Sequence, residues 1–117
     1  MTAYQIYTLA AAFVGDKAEE DKDNRDLSVP YLNVLLAESL SAENSIRAAN
    51  GDTELETAPV LTALTDEIVY SDRLAKTAFP YGLAWQYHQE AGNLQLSALY
   101  RNLFVDAVES AKMIVVR

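Results

Sequence analysis

Pro80 and Gly82 stand in the middle of Ser71–Ala91, SDRLAKTAFPYGLAWQYHQEA, a stretch whose apolar residues otherwise recur at helical spacing. Leu74, Ala78, Tyr81, Trp85 and His88 fall at three- and four-residue steps. Leu83, Ala84 and Tyr87 carry the apolar arc round to a second side. An arc that wide belongs to a central helix with neighbours on more than one side. An interior proline loses a backbone hydrogen bond and clashes with the preceding turn, at about 3 kcal/mol. Glycine adds up to about 1 kcal/mol. The residue before a proline is also biased away from the α region. The spacing therefore predicts one central element kinked at Phe79–Pro80, with a helix that stops and restarts at Pro80 as the alternative. Ser71 or Asp72 can cap its start, and Gly92 can end it.

Everything else is arranged around that element. Residues 3–14 predict a short helix with Ile6, Leu9, Ala10 and Phe13 on one face and Tyr7, Ala11 and Val14 beside them, ended by Gly15. Residues 16–26, DKAEEDKDNRD, hold six acids and three bases and read as an acidic linker or the frayed start of the next helix. Residues 28–49 predict a long helix capped by Ser28, with Pro30 in its first turn and Leu32, Leu35, Leu36, Leu40, Ile46 and Ala49 inward. Glu43 and Arg47 fit an exposed i,i+4 pair, worth roughly 0.2–0.5 kcal/mol. Residues 52–70 hold four threonines, Pro59 and the β-favouring run Ile68-Val69-Tyr70. They predict an extended crossover with two short strands able to pair as a hairpin. Asn93 caps a last helix over 94–116, in which Leu96, Leu99, Tyr100, Leu103, Ala107, Ala111 and Ile114 give the strongest period in the chain, widened by Phe104 and Val108. The fold class expected is all-α: residues 1–117 as a single helical domain, a small bundle of about four helices with one extended crossover.

Composition narrows the function. The formal charge of −8, from 17 acids and 9 bases, opposes duplex nucleic-acid binding, which needs clustered cations. With no cysteine, disulfides and thiolate metal sites are excluded. The opening MTAYQIYTLAAAFVGD has no basic residue before its apolar run, so it is not expected to be a signal peptide. No run reaches the roughly 18 apolar residues of a membrane span. His88 is the single candidate base, but Glu90, two residues on, points elsewhere on a helix. No E-x-x-H pattern, Walker loop, dinucleotide fingerprint or nucleophile elbow is present, and residues 16–26 lack the glycine and final glutamate of an EF-hand loop. The expectation is a non-enzyme with no catalytic residue, cofactor or metal.

Seven tyrosines are spread over every element, and tyrosine suits surfaces where one side packs and the other stays wet. With the crossover as the obvious arm for reaching a neighbour, the candidate interface residues are Leu61, Leu64, Tyr70, Pro80, Tyr81, Trp85 and Tyr87.

The succession YLNVLLAESLSAENSIRAANG, a Pro- and Thr-containing crossover, LTDEIVYSDRLAKTAFPYGLAWQYHQEAG and a terminal helix with Tyr100 resembles small structural-module proteins of tailed bacteriophages and prophages. The nearest group is the head–tail connector or neck adaptor family. The resemblance spans about residues 27–110. Its most recognisable pieces are Leu64, Asp66, Glu67 and Ile68, then Ala78, Pro80, Tyr81, Gly82, Leu83 and Ala84. It implies a non-enzymatic ring subunit between portal and tail, found in the virion or in the host bacterial cytoplasm during assembly, with portal, tail or self-association as partners. It also implies a mobile loop that joins the ring, a role suited to residues 52–70. The competing expectation is a soluble helical protein-binding or regulatory module of prophage or bacterial origin, which would present a groove for a partner peptide or helix.

Overall fold

The computed structural model describes residues 1–15 and 22–113, with side chains from residue 25 onward in the second stretch. The described residues form an all-α fold of six helical segments: α1 (Ala3–Phe13), α2 (Lys22–Glu38), α3 (Leu40–Ala49), α4 (Asp72–Ala75), α5 (Phe79–Glu90) and α6 (Leu94–Lys112). There are more segments than the four expected because two long helices are broken. The acidic stretch is partly helical, since α2 begins at Lys22. Residues 16–21 and Ile114 lie outside the described residues. Pro30 thus sits inside α2 and not in its first turn.

The central stretch takes the alternative course. It forms a single turn, α4, then a helix that restarts with Phe79 and Pro80 as its first two residues. There the missing proline N–H has no intrahelical acceptor to lose. The helix over 28–49 breaks at Ser39, and near that break the Leu36 carbonyl accepts from the Tyr70 hydroxyl at 2.6 Å. α5 lies at the centre, packed against α6, α1 and α2. Gly82 marks the closest approach. A Cβ there would stand 2.7 and 2.8 Å from the two Leu35 methyls and 3.0 Å from a Phe104 ring carbon. The fully enclosed core comprises Ile6, Tyr7, Leu32, Leu35, Leu36, Leu74, Phe79 and Leu83, with Phe104 of α6 against it.

No hairpin forms among the described residues of the crossover. Its one β-bridge pairs Glu67 with Thr2, so the segment pairs with the start of the chain and not with itself. The reason lies in the first turn of α1, whose leading amides have no intrahelical acceptor. Ala3 N–H donates to the Asp66 carbonyl at 3.0 Å and Tyr4 N–H to the Leu64 carbonyl at 2.8 Å. Thr2 and Gln5 close a capping box over the same turn.

The crossover is tied down along its length. Asn33 donates to the Leu61 carbonyl and accepts from the Leu61 amide, at 3.0 and 2.7 Å. Asn44 does the same to Leu55, at 2.9 and 2.7 Å. Glu43, expected on the surface, is buried. Its carboxylate accepts from Arg47 Nε at 2.7 Å and from the Ser71 amide at 2.8 Å. Arg47 in turn donates to the carbonyls of Thr53 and Val69, at 3.2 and 3.0 Å. One ion pair therefore holds both ends of the crossover against α3. Asp66 adds a local clasp, accepting from the amides of Thr62 and Ala63, and these bonds hold its carboxyl below the usual range.

A candidate docking groove between the first and last helices

The strongest period in the sequence predicts Leu96, Leu99 and Leu103 against the core. The structure turns Leu96 and Leu99 toward solvent and only half-buries Leu103. Leu99 is 50% exposed and Leu96 37%, whereas Ser97, Phe104 and Ala111 are the buried residues of α6. The apolar arc of α6 is wider than the body of the bundle can cover, and α5 takes the half centred on Phe104. α1 behaves in the same way. Ile6, Tyr7, Ala10 and Ala11 are buried, while Leu9 and Phe13, expected on the same inward face, stay 40% and 41% exposed.

The uncovered Leu9 and Phe13 of α1 face a trough bounded on another side by the C-terminal part of α6. It is an open groove of about 680 Å³ lined by Leu9 and Phe13 of α1, Pro80 and Tyr81 of α5, and Ala107, Ser110 and Ala111 of α6. Arg73, Lys76 and Thr77 from α4 and the turn after it complete the lining. Phe13 stacks on Tyr81 at 5.2 Å and on Tyr100 at 5.9 Å, and Tyr100 stacks on His88 at 5.3 Å. This row of rings ties the three helices together behind the groove and gives it an aromatic wall.

Of the seven candidate interface residues, the structure brings Pro80 and Tyr81 together, as neighbours in the groove wall. Tyr70, Tyr87 and Leu61 are buried at 3%, 3% and 5% exposure. The Tyr87 hydroxyl is hydrogen-bonded to Ser28. Burial, with Glu43 nearby, pushes the Tyr70 hydroxyl up to about 12. Leu64 and Trp85 are partly buried and packed against the core. Trp85 is covered by the Arg101 guanidinium, 4.5 Å from the ring centroid, and Arg101 pairs with Glu38 at 2.6 Å. Sequence reasoning missed Leu9, Phe13, Arg73 and Lys76. The signal for the first two was an apolar face on α1 too wide for one contact. For the cations there was none, because nothing local says that α4 sits at the groove rim.

Among the described residues no three His, Asp or Glu side chains come together as a metal site. His88 offers a stacked face, and its buried Nε2 has no hydrogen-bond partner among the described residues. No helix among them is long and apolar enough to cross a membrane. No family model, curated protein or solved structure matches the chain.

Proposed function

We propose that this chain is a non-enzymatic assembly protein that works by protein docking, a ring subunit at the head–tail junction of a phage or prophage, between portal and tail. The observation that carries the docking part is the groove, an aromatic-walled trough in which Leu9 and Phe13 are open to solvent beside Pro80, Tyr81 and Ala107. Contiguous exposed apolar surface of this kind marks interaction sites. The resemblance over about residues 27–110 supplies the setting, in the virion or in the host bacterial cytoplasm during assembly. In this reading the crossover is scaffold and not a reaching arm, since Leu61, Ile68 and Tyr70 are buried and its backbone is held by Asn33, Asn44, Glu43 and Arg47.

The second reading, a soluble protein-binding or regulatory module, is favoured by the shape of the groove, a trough between two helices able to accept a partner helix. Light scattering over a wide concentration range separates the two. A ring subunit gives a discrete multimer above the dimer. Ser110→Trp, which fills the groove from an exposed position, disperses that multimer if the groove forms the ring contact. A strict monomer at every concentration favours the binding module.

A further inference from the structure

The rim of the groove carries a sign. Arg73 and Lys76 are the charged residues of its lining among the described residues, in a chain with 17 acids and 9 bases. Both side chains are exposed. Among the described residues neither makes an ion pair, whereas Arg47, Arg101 and Lys112 each hold a carboxylate. Arg25 is likewise without an ion pair among the described residues, and what sets Arg73 and Lys76 apart is their place in the groove lining. They stand three residues apart and share the groove lining with the apolar Pro80, Tyr81 and Ala107.

From this arrangement we infer that the occupant of the groove is an acidic amphipathic helix of a partner protein, with apolar side chains at helical spacing seated against Phe13 and Tyr81 and Asp or Glu along one flank facing Arg73 and Lys76. The inference rests on the docking reading above and adds the chemistry of the partner. Helix-in-groove binding supplies apolar anchors at i, i+3/i+4 and i+7, and complementary rim charge selects the partner and speeds encounter. The overall charge of −8 acts against an acidic partner everywhere except at such a patch, so the patch also fixes where the helix docks.

The test uses two fluorescein-labelled amphipathic peptides, each about four turns long. They share the same leucine anchors. One carries Glu on the flank and the other Lys. Fluorescence anisotropy is read on the whole chain at low and high salt. The expected result is that the Glu peptide binds at least roughly tenfold more tightly than the Lys peptide, with the difference shrinking in high salt. The double substitution Arg73→Glu and Lys76→Glu, at exposed positions outside the core, then reverses the preference, and circular dichroism verifies its helix content. Equal binding of both peptides, unmoved by the charge swap, overturns the acidic partner. Binding of neither, in a chain that forms a multimer dispersed by Ser110→Trp, makes a second copy the occupant and overturns this inference while the docking reading stands. Binding of neither by a monomer that Ser110→Trp does not change overturns both.

Discussion

The crossover and the last helix are opposite cases. Residues 52–70 have no regular hydrogen-bonding ladder and the weakest periodicity in the chain, yet Leu61, Ile68 and Tyr70 are buried and five side chains hold the backbone in place. α6, the longest helix among the described residues, carries a long apolar stripe, yet Leu96 and Leu99 on it face solvent. Periodicity reports how much apolar surface a helix offers, and the number and position of neighbours decide how much of it is covered. An irregular segment is fixed by another route. Its backbone polar groups must each find a partner, and Asn, Asp, Glu and Arg side chains provide them. The regular part leaves apolar surface over at Leu96 and Leu99, and the irregular part is held by side-chain hydrogen bonds around buried Leu61, Ile68 and Tyr70 while Val60 and Val69 stay exposed.

The sharpest way to break this comparison is to substitute both faces of α6. Phe104→Ala empties a buried site against Gly82 and Leu35 and is expected to cost about 3–5 kcal/mol in urea unfolding. A loss under about 1 kcal/mol would mean that the inner face is misassigned.

Glu43→Ala comes next and tests the crossover. It leaves the Ser71 amide and Arg47 Nε without their acceptor, and the expected loss is about 3 kcal/mol, the low end for breaking a buried pair because Arg47 is partly exposed and keeps its bonds to Thr53 and Val69. An effect as small as that of a surface pair, about 0.5 kcal/mol, would show that the crossover is not held there.

Tyr70→Phe sharpens the same point through pH. Removing the hydrogen bond to Leu36 is expected to cost about 1 kcal/mol near neutral pH. The folded state holds the Tyr70 proton more tightly than the unfolded chain, since its pKa moves from 10.0 to about 12. That contribution is complete below the unfolded value and is lost as pH rises toward the folded one. The gap between wild type and Tyr70→Phe therefore narrows between pH 10 and about 12. A gap that stays constant over that range would remove Tyr70 from the core.

The smallest effect belongs to the outer face of α6. Leu99→Ala is expected to change stability by no more than about 0.5 kcal/mol. A loss like that of Phe104→Ala would place the stripe in the core after all.

Local signals in the sequence were legible where a short stretch decides its own shape. Gly15, Gly51 and Gly92 end their helices in the left-handed region, and Asn93 accepts from the Leu96 amide as a cap. The all-α class and the pairing of the last two helices through a short turn followed from the same signals. The central break was visible at Pro80, though the penalty of an interior proline is better met by a restart than by the kink. What no local rule could give was long-range. Glu43 looks like an exposed helical acid until Ser71, 28 residues away, brings its amide to it. The bridge between Thr2 and Glu67 is likewise invisible to any window of sequence. The groove was half legible. Pro80 and Tyr81 are visible as candidates in the sequence, but Leu9 and Phe13 read as inward-facing because an apolar face carries no mark of where its cover ends.

Amide hydrogen exchange, read residue by residue by NMR, tests most directly whether the crossover belongs to the folded body and leaves docking to the groove. The amides of Leu55, Leu61, Ile68 and Ser71 donate to Asn44, Asn33, Met1 and Glu43. They are expected to exchange within about tenfold of the amides in the middle of α5, as parts of one cooperative unit. Exchange of all four at free-loop rates, with α5 and α6 still protected, would make the crossover a separate mobile arm and contradict the account.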